Sequence, residues 1–170
     1  MKFQDIPQFT KTAAYAVDVF WDYLEQQLTH YADSNILELD PEFQRAHVWT
    51  PEQQRRDVEY ILRGGHSSRD IYFNCANWMR AGRGVIYLVD GKQRMEAVRK
   101  FLRDELPIFD GHICSDFEDK LPFSAGFKFH INDLPTYADV LQWYIDLNAG
   151  GVAHTSEEIE KVRKLLDAEK

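Results

Sequence analysis

The apolar positions of the chain fall into runs of helical and of strand spacing. Between residues 12 and 29, Val17, Phe20, Trp21, Leu24 and Leu28 recur at three- and four-residue intervals with Asp18, Asp22, Glu25 and Gln26 among them, which predicts an amphipathic helix. Ile36, Leu37 and Leu39 predict a short strand over 35–39, ended by Asp40-Pro41 because proline has no N–H for a ladder. Thr50-Pro51-Glu52-Gln53 is a capping-box start with proline at the first helical position, and Val58, Ile61 and Leu62 give the helix over 51–63 its apolar side. Gly64-Gly65 stops that helix, since glycine accepts the left-handed backbone of a C-terminal cap.

Strands are predicted over 71–75 and 85–89, with a turn at 80–84 between them. The run from Val85 to Val89 is unbroken and β-branched or aromatic, the mark of a strand buried on both faces. A helix over 92–103 carries Met95, Val98, Phe101 and Leu102. Short strands follow at 106–109 and 127–131, with 110–126 read as loop. A helix over 136–147 ends at Asn148-Ala149-Gly150-Gly151, and Thr155 with Glu158 at the capping-box position opens a last helix bearing Ile159, Val162, Leu165 and Leu166. Mixed elements without a repeat or a low-complexity linker predict one α/β (α+β) domain over 1–170, a small mixed sheet with surrounding helices.

Composition narrows the class. Of 170 residues 44% are hydrophobic and 28% charged, so overall disorder is excluded. No apolar run approaches the roughly 18 residues that span a bilayer, so no membrane association is expected. The first residues lack the apolar core of a secretory leader. Cys75 and Cys114 stand far apart with no CxxC, which disfavours structural zinc and suits a reducing, cytoplasmic compartment. The net charge of −8 is unevenly spread. Residues 44–103 hold 12 Lys and Arg against 6 Asp and Glu, a local +6, while the remainder carries −14. That basic middle suits an anionic ligand, phosphate or nucleic acid, or else is a set of solvated helix faces.

Three segments carry candidate chemistry. In Asp90-Gly91-Lys92-Gln93-Arg94 a buried strand turns tightly into a helix whose first N–H groups lack partners. Gly91 permits close approach of a ligand, Lys92 and Arg94 add cationic donors, and Asp90 can hold a metal such as Mg²⁺ or orient a water. The competing reading makes Asp90 a helix cap and Arg94 a surface ion pair. Phe43-Gln44-Arg45-Ala46-His47-Val48-Trp49 sets an amide and a guanidinium between aromatics, with Trp49 read mainly as a hydrophobic staple before the Thr50 cap. The third segment, with Asn148, Gly150 and Gly151, is either a ligand-facing loop or simply a helix C-cap.

In this order Pro41-Glu42-Phe43-Gln44-Arg45 with Val48-Trp49, then Asp90-Gly91-Lys92-Gln93-Arg94 with Phe101-Leu102, then Leu147-Asn148-Ala149-Gly150-Gly151 with Thr155 and Glu158 resemble the GmrSD-type N-terminal domain, domain of unknown function 262. The resemblance covers about residues 36–166. It implies a ParB/sulfiredoxin-like fold that binds nucleotide phosphates at a strand-to-helix turn. It further implies nucleoside triphosphate hydrolysis tied to restriction of modified phage DNA, through a motif usually written DGQQR. Carried across, it gives catalysis to Asp90 and Gln93, with Gln93 positioning the attacking water. Phosphate binding falls to Gln44, Arg45, Gly91, Lys92 and Arg94. Lys92 departs from the usual glutamine and keeps a phosphate-attracting charge. No HNH-like histidine cluster follows, so DNA cleavage is expected to need a nuclease or other defence partner. Sulfiredoxin chemistry needs a cysteine in the phosphate loop, and residues 90–94 have none. The expectation is a weak Mg²⁺-dependent NTPase module. The alternative is a DNA- or protein-binding module without turnover, serving defence, counter-defence or a ParB-like role.

Overall fold

The computed structural model describes residues 2–3, 6, 15–46, 48–80, 83–148 and 156–169. In chain order these form β1 (Tyr15–Phe20), α1 (Leu24–Ser34), β2 (Ile36–Glu38), α2 (Pro51–Leu62), β3 (Asp70–Cys75), β4 (Val85–Asp90), α3 (Lys92–Leu102), β5 (Gly126–Asn132), α4 (Tyr137–Asn148) and α5 (Ser156–Ala168). The strands make one mixed sheet in the order β1-β5-β3-β4-β2. β1 with β5 and β3 with β4 are antiparallel, whereas β3 with β5 and β2 with β4 are parallel. The expected mixed sheet with helices around it is what the chain forms.

Alternation along the central strands sends side chains to two cores. Ile71, Phe73, Ile86, Leu88, Phe127, Phe129 and Ile131 join Leu24, Leu28, Val58, Ile61, Val98 and Phe101 on the side of α1, α2 and α3. Val89 faces the other way, with Tyr72 and Tyr87, toward Phe43 and the apolar positions of α4 and α5. Each fully buried side chain of this size stabilises the fold by roughly 1.5–3 kcal/mol, so the first cluster dominates the stability. Between the layers, Asn74 on β3 exchanges two hydrogen bonds with the backbone of Leu134, at 2.9 and 3.2 Å, and so fixes the entry to α4.

Two segments depart from the periodicity. Residues 15–20 are strand, not the start of a helix, with a register running from Tyr15 opposite Ile131 to Phe20 opposite Gly126. Val17 and Val19 satisfy a two-residue period as well as a helical one. Pairing with β5 and burial against the main core decide for the strand, and the helix begins only at Leu24. Residues 106–109 form no strand. Ile108 and His112 make a single antiparallel bridge around a 3-10 turn, Phe109–Gly111, in which Phe109, Asp110 and Gly111 all have positive φ. The capping box at Thr50 is present in full, with Thr50 N–H donating to Gln53 Oε1 at 2.8 Å and Gln53 N–H to Thr50 Oγ1 at 3.2 Å. The expected cap at Thr155 and Glu158 lies outside the described side chains.

The turn from β4 into α3 depends on Gly91. Its φ is +103°, and a Cβ there would stand 2.5 Å from Ile71 Cδ1 and 3.3 Å from Ile71 Cα. Gly64 also has positive φ, at +91°, but nothing lies within 4 Å of its missing Cβ. Gly91→Ala is therefore expected to destabilise by roughly 2–4 kcal/mol, since left-handed strain and overpacking add. Gly64→Ala should cost about 1–2 kcal/mol from strain alone. Urea denaturation of both variants checks the order; equal losses would contradict the packing argument.

A candidate anion-binding cleft at the end of strand β4

At the C-terminal end of β4 the ladder is irregular. Phe73 pairs with Leu88 but Tyr72 pairs with Asp90, so Val89 is the extra residue of a β-bulge. β2 has already ended at Glu38, opposite Tyr87. Beyond it the Gln44 side chain takes the place of a strand, its Nε2 donating to Leu88 O at 2.9 Å and to Val89 O at 2.8 Å. One residue earlier Phe43 is buried in the second core, its ring 5.1 Å from that of Tyr144. The chain leaving β2 is thereby pinned beside the β4–α3 turn.

Helix α3 pins the rest of this arm. Gln93, 7% exposed, accepts the N–H groups of Val48 at 3.0 Å and Trp49 at 3.1 Å on Oε1, and its Nε2 donates to Ala46 O at 3.3 Å. Lys92 Nζ donates to Arg45 O at 3.0 Å and bonds Asp40. From α2, Gln54 Nε2 donates to Trp49 O at 2.9 Å. Peptide groups of residues 45, 46, 48 and 49 are thus held by side-chain amides or an ammonium of α2 and α3. At about 0.5–1.5 kcal/mol per bond, the three made by Gln93 outweigh the cost of ordering its side chain.

The arm and the turn enclose a cleft of about 310 Å³. Gln44, Arg45, Asp90, Gly91, Lys92, Gln93, Arg94 and Asn148 all line it, so the three sequence segments converge. Gly150 and Gly151 lie outside the described residues. Asn148 Nδ2 donates to Tyr144 O at 2.7 Å. Trp49, Ser68, Tyr144 and Leu147 complete the wall. Trp49 is therefore more than a staple, and Ser68 had no sequence signal at all, because it arrives from the approach to β3.

The charges in the cleft are mostly paired before any ligand arrives. Arg94 Nη2 lies 2.5 Å from Asp90 Oδ2, one helical turn away, and Lys92 is held by Asp40. Asp90 is the last residue of β4, and the N-cap of α3 is Gly91, so the capping reading of Asp90 does not hold while the ion-pair reading of Arg94 does. Among the described residues Arg45 is the cleft cation with no carboxylate partner. The first turn of α3 carries no acidic residue, so its N–H groups and partial positive charge add to an electropositive floor. Gln93 holds the arm, its carbonyl oxygen being used twice by backbone N–H groups.

Among the described residues no three His, Cys, Asp or Glu side chains gather as a metal cage. Asp90 offers one carboxylate, which suits an Mg²⁺ that takes its other ligands from phosphate and water. Both thiols are pushed up, chiefly by burial, so neither Cys75 nor Cys114 is a ready thiolate at neutral pH. No described helix is long and apolar enough to cross a membrane. Compared with family models, curated proteins and solved structures, the chain matches none.

Behind the cleft, Ser68 Oγ donates to Asp57 Oδ1, while Asp57 Oδ2 is buried without a partner. Burial raises the Asp57 carboxyl above its ordinary 3.8, against the lowering effects of the Ser68 hydroxyl and the Arg94 charge. A raised carboxyl favours the protonated folded state, so its penalty grows as pH climbs above that ordinary value. Asp57→Asn should therefore be at least as stable as the parent at neutral pH, with its relative gain fading as pH falls through the raised value toward 3.8 and absent below it. Urea midpoints across pH check this; a variant less stable at neutral pH would contradict it.

Proposed function

We propose that this chain is a nucleotide-binding module and a weak, Mg²⁺-dependent nucleoside triphosphatase. The observation that carries the reading is the meeting of Arg45, Lys92, Arg94 and the start of α3 in one cleft that Trp49, Tyr144 and Leu147 also line. A polyphosphate needs several fixed cationic donors, and a base needs a flat apolar surface; the lining of the cleft includes the two. The resemblance of its three segments to GmrSD-type N-terminal domains favours the same chemistry, and with it a place in modification-dependent phage defence beside a nuclease partner.

Arg45 is the first grip, since it gives up no ion pair to bind. Arg94 follows by exchanging Asp90 for a phosphate oxygen. That exchange leaves Asp90 unpaired beside the terminal phosphate, where it accepts a proton from the attacking water as the new P–O bond forms and the nucleoside diphosphate leaves. Bound Mg²⁺ would neutralise phosphate charge, held by phosphate oxygens and water; were Asp90 its ligand instead, the proton of the attacking water would pass to solvent. Gln44 and Gln93 act by holding the arm in place. One observation favours the alternative of binding without turnover, to nucleotide, DNA or a partner protein. Asp90 is paired with Arg94 and Gln93 is engaged by backbone, so turnover depends wholly on the Arg94 exchange.

Nucleotide titration and phosphate release of the parent, Arg45→Ala and Asp90→Ala test the reading. Arg45→Ala should keep its melting temperature and lose about 1.5–3 kcal/mol of binding, roughly tenfold or more in affinity. Asp90→Ala should bind as tightly as the parent or more tightly, because Arg94 is released, and should release no phosphate. A parent that binds but never releases phosphate leaves the binding module, and a parent that binds no nucleotide ends the proposal.

A further inference from the structure

We infer that a second hollow, of about 360 Å³ between the end of β1, the start of β5 and the approach to β3, binds an oxyanion carried on an aromatic or apolar body. Its walls include Asp18, His66, Arg69, Phe123, Ser124 and Lys128, none of which lines the β4–α3 cleft. The deciding feature is Arg69. Its Nε and Nη2 lie on the same edge of the guanidinium and form the fork that matches two coplanar oxygens. Both are closed off from solvent and have no hydrogen-bond partner. A guanidinium cannot escape burial by losing its proton, so an unpaired buried fork is held at a cost that an acceptor relieves, and an anion most fully.

The neighbouring carboxylates do not relieve it. Asp70 is committed to His130 Nε2 at 2.6 Å, and Asp18 is exposed and forms no ion pair with Arg69. Turning the fork into the hollow breaks no bond made by Nε or Nη2. The walls it would turn between are fixed, with Arg69 O accepting Lys128 N–H at 2.8 Å and Phe20 paired with Gly126. Exposed Lys128 and His66 and half-buried Ser124 bring further donors to the same space. At the rim, Phe123 is 91% exposed and meets Phe20 edge-on at 5.9 Å. Two phenyl rings held in solvent give a ligand body a surface to lie on.

Phenyl phosphate is the probe, with benzoate and inorganic phosphate beside it. In the full chain, phenyl phosphate or benzoate should raise the melting temperature and move the Nε–Hε NMR signal of Arg69, assigned by its loss in R69K. Inorganic phosphate, which lacks the ring, should act several-fold more weakly. The response should survive Arg45→Ala and vanish in Arg69→Met. In chloride alone Arg69→Met should melt no lower than the parent, because it removes an unpaired buried charge. No movement of the Arg69 signal with either aromatic probe overturns the inference. So does a response that Arg69→Met retains, or a lower melting temperature of that variant in chloride. If Arg69→Met fails to fold, the Nε–Hε signal of the parent decides by itself. No nucleotide is used, so the result is independent of the function proposed for the first cleft.

Discussion

A single buried amide holds the candidate site together. Gln93 Oε1 takes the N–H groups of two successive residues, Val48 and Trp49, which a regular helix or strand would direct to different partners. The described residues of the arm, 44–46 and 48–49, are irregular backbone, and such backbone beside a core persists only when its polar groups are paired. Gln93 and Lys92 from α3 and Gln54 from α2 supply that pairing, while Gln44 on the arm itself bonds the carbonyls of β4. Removing them would leave Arg45 and Trp49 on a loop with no fixed relation to the β4–α3 turn, and there would be no cleft. The glutamines of this region are thus building material for the site, whichever ligand it takes.

Charge in the cleft follows from the same placement. The protein carries −8 overall, yet the cleft floor is a helix start with Lys92 and Arg94 on its first turn. Asp40 and Asp90 neutralise those two cations in the free protein, leaving Arg45 to attract an incoming anion. Affinity therefore depends on exchange of partners more than on the number of positive residues. An anion that displaces Asp90 from Arg94 gains one charge-assisted bond and gives up another, while one that meets Arg45 gives up none.

Much of this was legible in the sequence where the signal is local. The Thr50 capping box, the Val85–Val89 strand and the glycine turn into α3 each rest on a few adjacent residues, and all form as expected. The three segments that converge on the cleft were legible as segments too. What sequence could not show is how they are tied. The first helix was misplaced because Val17 and Val19 fit both periods, and the choice was made by β5, far along the chain. Gln93 read as a chemical group because nothing local shows two backbone N–H groups meeting it from residues 48 and 49. Ser68 and the Arg69 hollow were invisible for the same reason, being assembled from β1, β5 and two connecting segments.

Hydrogen exchange at the Val48 and Trp49 amides, compared between the parent and Gln93→Leu, tests the central claim most directly. Leucine keeps the bulk at position 93 and removes the acceptor that holds both N–H groups. The account predicts strong protection of both amides in the parent and its selective loss in the variant, with the amides of β3 and β5 unchanged. Equal protection in the two proteins, or exposed amides in the parent, would contradict the clamp and with it the cleft built on it.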